Sequence, residues 1–141
     1  MQTTLRPDLA SHLRLTIART ARRLRQEAGS DLSPSMTAAL ATIERHGPMT
    51  PSELAARERI QRPTATRVLT RLEEMGLIAR TPDPQDRRSS LVSVTSAASE
   101  ILAELRTRKT AFLAERLERL DAEDRAALER AADILERMLA E

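Results

Sequence analysis

The stretch that decides the fold is Pro63–Thr95, PTATRVLTRLEEMGLIARTPDPQDRRSSLVSVT. Its first part, up to Gly76, has the apolar spacing of an amphipathic helix and ends in a glycine stop signal. Leu77–Arg80 and Leu91–Thr95 are strand-like, and a basic loop, Pro82–Ser89, lies between them. The pattern predicts a helix followed by a β-hairpin with an arginine tip. Such a unit suits a DNA groove and the phosphate backbone beside it.

The helix in this stretch has an apolar face and a polar face. The residues expected on the buried face are Ala65, Val68, Leu69, Leu72 and Met75. The residues on or flanking the opposite face are Pro63, Thr64, Thr66, Arg67, Thr70 and Arg71. Recognition helices contact bases with their N-terminal residues, so Glu73 and Glu74 near the other end are expected to point away from phosphate.

Two capping signals upstream predict the rest of a helix-turn-helix. Ser33-Pro34 begins one helix, and the capping box Thr50-Pro51-Ser52-Glu53 begins another. A turn at residues 58–61 then leads into the helix that starts at Arg62-Pro63. The residues expected on the buried faces of the two upstream helices are Met36, Ala39, Leu40, Ile43, Leu54 and Ala55.

Helices are also predicted at both ends of the chain. Leu5–Ala28 is the first, with Asp8 as its cap, and a long segment from Thr95 is interrupted and recapped at Asp121–Asp124. A helix cannot keep a broad apolar face in water, and few elements remain in one chain to cover these, so we expect a symmetric homodimer. The expected apolar residues are Leu9, Leu13, Ile17, Leu24, Ile101, Leu102, Leu105, Phe112, Leu113, Leu117, Leu120, Leu128, Ala131, Ala132, Leu135, Met138 and Leu139.

The expected fold class is therefore mainly α with a small β-hairpin wing. Three regions are predicted: an N-terminal dimerisation helix at 1–30, a winged helix-turn-helix DNA-binding domain at 31–95, and C-terminal dimerisation helices at 96–141.

The composition narrows the classes of partner. The chain has 141 residues, 40% hydrophobic and 31% charged, which is typical of a globular protein. The net charge of +2 says little, but nearly all the cations are arginines, so their positions matter more. Phe112 is the single aromatic residue. Proteins that bind single strands or RNA stack the bases on aromatic side chains, so the composition counts against that function. Binding to duplex DNA does not need aromatic side chains.

The absence of Cys and of long apolar runs excludes further classes. Without Cys there is no disulfide framework, no thiolate zinc site and no thiol redox switch. No apolar run is long enough to span a membrane, and the N-terminus lacks the apolar core of a signal peptide. We therefore expect a cytosolic location and no membrane partner.

Several motifs together resemble the MarR family of bacterial transcriptional regulators over essentially the whole chain. Each is a weak signal alone, but their order and spacing are specific. The motifs are Thr50–Ala55, Pro63–Ile78, Asp83–Arg88 and Leu91–Thr95. The resemblance implies a winged helix-turn-helix dimer that binds palindromic operators, usually as a repressor, in the bacterial cytoplasm and on the nucleoid. In the family, a small ligand or an oxidant often relieves binding.

The family's wing motif, Asp-x-Arg, falls on Asp86 and Arg88. The resemblance implies that the arginine enters the minor groove, whose negative potential attracts it, and that the aspartate steadies the wing. The alternative is a solvated hairpin tip. Arg71 has an alternative too, an ion pair within the protein. The predicted DNA contacts are Gln61, Arg62, Thr64, Thr66, Arg67, Thr70, Arg71, Asp86, Arg87 and Arg88.

The same features bear on regulation. Without Cys, the chain cannot use the thiol oxidation by which some members of the family sense oxidants. His12 and His46 lack the carboxylate spacing of a metal site, so no metal or cofactor is predicted. A small-molecule effector remains, or none. The resemblance implies a crevice between the dimerisation helices and the winged domain. The residues that could line it are His12, Thr16, Met36 and Arg80, although Arg80 is expected rather to face phosphate or solvent.

Two other functions fit the sequence less well. A winged helix that binds protein would have an apolar or acidic recognition face, and Thr66, Arg67 and Thr70 are neither. An enzyme has little to build a site from, with two unconnected histidines, 3 glycines and no phosphate-cradling loop. We therefore predict that the chain is a DNA-binding regulator and not an enzyme.

Overall fold

The computed structural model describes residues 7–141 and is mainly helical with one β-hairpin, as predicted. Its elements are α1 (Pro7–Ala28), α2 (Pro34–His46), α3 (Pro51–Glu58), α4 (Arg62–Glu74), β1 (Ile78–Pro82), β2 (Ser90–Val94), α5 (Ser96–Glu118) and α6 (Ala122–Leu139). The predicted start of the first helix at Leu5 lies outside the described residues. Within residues 7–141 no helix is long and apolar enough to cross a membrane.

The chain forms two compact units. The winged unit is Gly29–Arg106, and the terminal unit combines α1 with Thr107–Glu141. We expected the winged domain to end at residue 95, but the winged unit also includes the first part of α5. The reason is that Ala98 and Leu102, each at most 2% exposed, pack into its core.

The core of the winged unit is made by the predicted apolar faces of α2, α3 and α4. Leu40, Leu54, Leu69 and Leu72 are fully buried, and Val92 of β2 joins them. Burial of this apolar surface is the main term that holds the three helices together. The faces predicted for α2 and α3 are confirmed.

One residue of the predicted α4 face is different. Met75 was expected to be buried, but it is 42% exposed. It follows the last helical residue, and Gly76 turns the chain away with φ +73°. The amide of Leu77 donates to the carbonyl of Leu72 (2.9 Å) and that of Gly76 to Glu73 (2.9 Å), which is the Schellman pattern that a C-terminal glycine permits.

The helix caps follow from local sequence. Ser33 Oγ accepts from the amide of Met36 (3.2 Å), and Thr50 Oγ1 accepts from that of Glu53 (3.1 Å), as predicted. Asp121 caps α6 in the same way through the amide of Asp124 (2.8 Å). The cap predicted at Asp8 is wrong, because Asp8 lies inside the first turn of α1, where a negative charge still suits the helix dipole.

The turn between α3 and α4 depends on a left-handed residue. Arg59 has φ 54° and ψ 44°, a conformation that costs an L-residue energy. It allows the amide of Ile60 to reach the carbonyl of Ala55 (3.0 Å) and ends α3. Gln61 then precedes α4 without a side-chain cap.

The hairpin is antiparallel, and its register pairs Ile78 with Val94 and Pro82 with Ser90. The strands begin and end one or two residues away from the predicted bounds. A third piece of backbone, which was not predicted, joins the hairpin. The amide of Met49 donates to the carbonyl of Val92 (3.1 Å), and the amide of Val92 donates to the carbonyl of Met49 (2.8 Å).

The terminal unit has no comparable core within the part of the chain that the structure describes. No residue of α6 is buried, and Leu128 is 50% exposed. On α1, Leu9 and Ile17 are 52% and 47% exposed. Phe112 on α5 is half-buried. The apolar faces predicted for these helices are present, but in a single chain many of their large side chains are 40% exposed or more.

Candidate nucleic-acid interface

The polar face of α4 is fixed by the burial of its apolar face. Because Ala65, Leu69 and Leu72 are buried, the helix cannot rotate about its axis without losing that burial. Thr66 and Arg67 are therefore held on the exposed side. The other predicted contacts that are exposed on or just before α4 are Gln61, Arg62, Thr70 and Arg71.

The arginines of this face differ in how far they are engaged. Among the described residues, Arg62 and Arg67 have no ion-pair partner. Arg71 lies 4.0 Å from Glu74, with the two side chains 69% and 63% exposed. An ion pair so exposed contributes little, so the internal pairing considered for Arg71 is weak and leaves its guanidinium available.

The threonines of α4 are not equivalent. Thr70 Oγ1 donates to the carbonyl of Thr66 (2.9 Å), so its hydroxyl proton is committed and its methyl group and lone pair remain. Thr66 is exposed. Thr64 is half-buried and lines a cavity of about 280 Å³ together with Ile60 and Val68. Thr66 is consequently the most accessible hydroxyl donor of the three.

The loop of the wing is organised by two aspartates. Asp86 accepts twice, through its carboxylate from the amide of Arg88 (3.0 Å) and through its carbonyl from the amide of Ser89 (3.0 Å). Asp83 accepts from the amide of Gln85 (2.9 Å). These bonds pre-order the tip before any ligand binds. The side chain of Arg88, like that of Arg87, is exposed.

The wing is also bonded to α4. Arg80 Nε donates to Glu73 Oε2 at 2.9 Å, with the side chains 28% and 47% exposed. Arg80 was expected to face phosphate or solvent. Its side chain is partly exposed, and it has a partner that was not predicted, Glu73 on the adjacent helix. From the sequence alone, this ion pair could be anticipated only as two opposite charges that the hairpin can bring together.

Thr95 connects three elements at the base of the wing. Its hydroxyl donates to the carbonyl of Gly76 (2.8 Å), and its amide donates to that of Leu77 (3.1 Å). The same hydroxyl oxygen accepts from the amide of Ala98 (3.3 Å) and caps α5. The end of α4, the end of β2 and the start of α5 are therefore held as one joint.

The residues predicted to bind an effector fall in different units. His12 and Thr16 lie exposed on α1 in the terminal unit. Met36 is 9% exposed in the core of the winged unit, and Arg80 is paired there with Glu73. Within residues 7–141 no three His, Cys, Asp or Glu side chains are grouped as metal ligands.

Sequence comparisons relate the chain to known regulators. The MarR family model matches residues 32–90. An HTH-type transcriptional regulator of Mycobacterium tuberculosis is 41% identical over 128 residues, which is 90% of this chain and 90% of that protein. An HTH-type transcriptional repressor of Bacillus subtilis is 31% identical over 93 residues, covering 66% of this chain and 60% of the relative.

Structural comparisons agree. A Pseudomonas aeruginosa PA01 protein assigned as a transcriptional regulator has a TM-score of 0.87 and 35% identity, and 98% of each chain is covered. A mutant MarR of Escherichia coli, solved in complex with operator DNA, has a TM-score of 0.69 and 24% identity over 92% of this chain and 94% of that one. At that lower identity the likeness is one of fold.

Proposed function

Because the chain belongs to the MarR family, it is a DNA-binding transcriptional regulator, and we propose that it acts as a dimeric repressor of a palindromic operator. The observation that carries the proposal is the exposed face of α4 with Thr66 and Arg67, fixed by the buried opposite face. The E. coli relative of the same fold was solved with operator DNA, and a B. subtilis relative is named a repressor.

In this proposal α4 lies in the major groove. Arg67 is long enough to reach a guanine edge or a phosphate, and Thr66 can contact a phosphate or a thymine methyl group. Arg71 is a second cation for the same groove. Gln61 and Arg62, at the start of α4, contact the backbone or the first base, and Thr64 contributes least because it is half-buried.

The wing lies in the adjacent minor groove. Arg88 inserts where a narrow, A·T-rich groove concentrates negative potential, and Arg87 contacts the neighbouring phosphates. Asp86 does not contact DNA in this proposal. Its carboxylate, which accepts from the amide of Arg88, holds the loop so that little order must be gained on binding.

The helices at the two ends, in residues 1–30 and 96–141, hold the dimer. Their support is the exposure of apolar side chains such as Ile17 and Leu128 in a single chain. A two-fold dimer places two copies of α4 on half-sites about 34–36 Å apart, one turn of the double helix. The two-fold symmetry is the reason for expecting a palindromic operator.

We include regulation by a small molecule in the proposal, although only two of the four predicted effector residues are accessible. His12 and Thr16 are open to a ligand, whereas Met36 and Arg80 would first have to leave their present contacts. The family and the relatives are transcriptional regulators and not enzymes. We expect the protein in the bacterial cytoplasm, on the nucleoid when bound to DNA.

The test is operator affinity at fixed salt, measured by fluorescence anisotropy with promoter fragments from the protein's own genome. Arg67→Ala is expected to cost about 1–3 kcal/mol of binding free energy if the side chain contacts a base. Arg88→Ala should weaken binding and flatten its dependence on salt. Arg45→Ala, an exposed arginine at the end of α2, is the matched control and should bind as the wild type does.

Two results would contradict the proposal. One is the absence of binding to any such fragment in dilute salt. The other is wild-type affinity in both Arg67→Ala and Arg88→Ala, which would remove α4 and the wing from the interface. Salt-independent binding to a protein partner instead would favour the winged-helix interaction module.

A further inference from the structure

Four exposed side chains of α4 form a row on the side of the helix that faces away from the core of the winged unit. Residues that follow a first one by three, four and seven positions lie on the same side of a helix, and recognition helices contact successive bases with such a set. On α4 the set is Pro63, Thr66, Arg67 and Thr70. It is called the readout face below.

The readout face has a narrow chemistry. Bidentate contacts to adenine come from Asn or Gln, and cytosine is contacted by Asp or Glu. α4 contains neither Asn nor Gln, and its two carboxylates, Glu73 and Glu74, lie outside the readout face. Arg67 carries the planar fork that matches O6 and N7 of guanine. The readout face can therefore specify guanine through Arg67, and its other base preference depends on the threonines.

The two threonines of the readout face differ in what they can offer a base. Thr70 Oγ1 donates to the carbonyl of Thr66 at 2.9 Å, so its hydroxyl proton is not available to DNA. The same bond selects one rotamer, because the side chain of a helical Thr otherwise divides between two. The methyl group of Thr70 is therefore held in a fixed position at an exposed site. The hydroxyl of Thr66 makes no hydrogen bond within residues 7–141, so it can bond to a phosphate or to any base edge and discriminates little.

Arg67 keeps its full hydrogen-bonding capacity and lies close to Thr70. Among the described residues it has no ion-pair partner, whereas Arg71, one turn further along, lies 4.0 Å from Glu74. Arg67 and Thr70 are three positions apart, which is a rise of about 4.5 Å along the helix axis. Successive base pairs are about 3.4 Å apart. The two side chains therefore meet base pairs that are next to each other or separated by one.

We propose that Arg67 and Thr70 specify a guanine and a thymine within about two base pairs of each other in each operator half-site, and that the methyl group of Thr70 contacts the 5-methyl group of the thymine. The inference rests on the proposed function and adds the bases that α4 selects. Contact between the two methyl groups removes both from water. Cytosine has no such methyl group and leaves that of Thr70 without a partner, so Thr70 supplies a second determinant beside the guanine.

The experiment alters single atoms of the DNA. The probe is a duplex that the full-length wild-type chain enriches from a pool of random duplexes. Each thymine of a half-site is replaced in turn by deoxyuridine, which lacks only the 5-methyl group, and each guanine by 7-deazaguanine, which lacks the N7 acceptor. One uracil substitution is expected to raise the Kd about fourfold, the factor for burial of one methyl-sized apolar group. Substitution of the guanine that Arg67 contacts should raise the Kd about fivefold or more. Fluorescence anisotropy at fixed salt measures both.

Matched variants of the protein assign these effects to their side chains. Thr70→Ser keeps the hydroxyl that bonds to the Thr66 carbonyl and lacks the methyl group. It should bind the thymine and uracil duplexes with equal Kd at the position where the wild type distinguishes them. Thr70→Val is the control, because it keeps a methyl group and loses the hydroxyl, and it should still prefer thymine. Arg67→Ala should lose the sensitivity to 7-deazaguanine and keep the preference for thymine.

The outcomes separate this inference from the proposed function. If the wild type enriches no duplex, the proposed function itself fails. If it does enrich one, three results would overturn the inference and leave DNA binding untouched: no uracil substitution weakens binding, Thr70→Ser stays as sensitive to uracil as the wild type, or Thr70→Val becomes insensitive too.

A further result would contradict the role of Arg67. If Arg67→Ala weakens binding equally for all sequences and lowers the salt slope by about one, Arg67 contacts a phosphate and not a guanine. The substitutions in the DNA are measured with the wild-type chain, so a variant that fails to fold cannot imitate their effects.

Discussion

The two units of this chain use their apolar residues in opposite ways. In the winged unit, Leu40, Leu54 and Leu69 are fully buried by neighbours from the same chain. In the terminal unit, Leu128 and Leu139 are 50% and 85% exposed. The winged unit buries its apolar side chains by itself, whereas the terminal helices leave many of theirs exposed. The contrast teaches that one sequence can encode a unit with its own buried core beside a unit without one.

The largest expected effect is a loss of stability in the winged unit that does not depend on protein concentration. Leu69→Ala should lower the free energy of unfolding by about 2–5 kcal/mol, because it removes a fully buried side chain and leaves a cavity. Urea denaturation followed by circular dichroism measures the change. Since the cavity lies inside one chain, the loss should be the same at every protein concentration.

Leu128→Ala is the matched control in the terminal unit. If a second copy covers it, the change should weaken the dimer and shift the unfolding midpoint only in a concentration-dependent way. Equal, concentration-independent losses in Leu69→Ala and Leu128→Ala would break the contrast between the units. The terminal helices would then be covered within one chain.

The sequence predicted contacts between residues that are close in the chain, and it missed contacts between residues that are distant in the chain. Ser33 and Thr50 were identified as caps because a cap depends on the next three residues only. The pairing of Met49 with Val92 was missed, since one residue bonded to a distant strand leaves no periodic pattern. The partner of Arg80 was missed because the sequence alone does not say which carboxylate the folded hairpin places beside it. In the structure that carboxylate belongs to Glu73.

The candidate interface was predicted in the same uneven way. The polar face of α4 could be assigned from spacing, as Arg67 shows, since burial of one helical face fixes the other. The difference between Thr64 and Thr66 could not, because it depends on how closely α2 approaches. The residues assigned to DNA contact remain a prediction until affinities are measured.

A smaller effect tests whether the winged unit carries strain of its own. Arg59→Gly should raise the free energy of unfolding by about 1 kcal/mol, because glycine adopts φ 54° without the clash of a Cβ atom. Thermal denaturation measures it. Arg59→Ala removes the same charge but keeps the Cβ atom, so it should give no such gain. A gain in both variants would assign the effect to charge, and no gain in Arg59→Gly would show that the turn is unstrained.

The smallest effect concerns ion pairs in the winged unit. A double-mutant cycle on Glu73 and Arg80 should give a coupling free energy of about 0.2–1 kcal/mol, since the pair is short but partly solvated. Denaturant unfolding of the four variants measures it. The longer pair of Arg71 with Glu74 is the control cycle and should give a value near zero. A larger coupling for the control would mean that distance does not rank these pairs.

The bond between Met49 and Val92 protects the wing as well as bracing it. A hairpin exposes backbone donors and acceptors along its outer strand, where an extended segment of another molecule can add on and start aggregation. At Val92 that position is already taken, since both the amide and the carbonyl are bonded to Met49. The outer edge of β2 is therefore closed to strand addition at Val92.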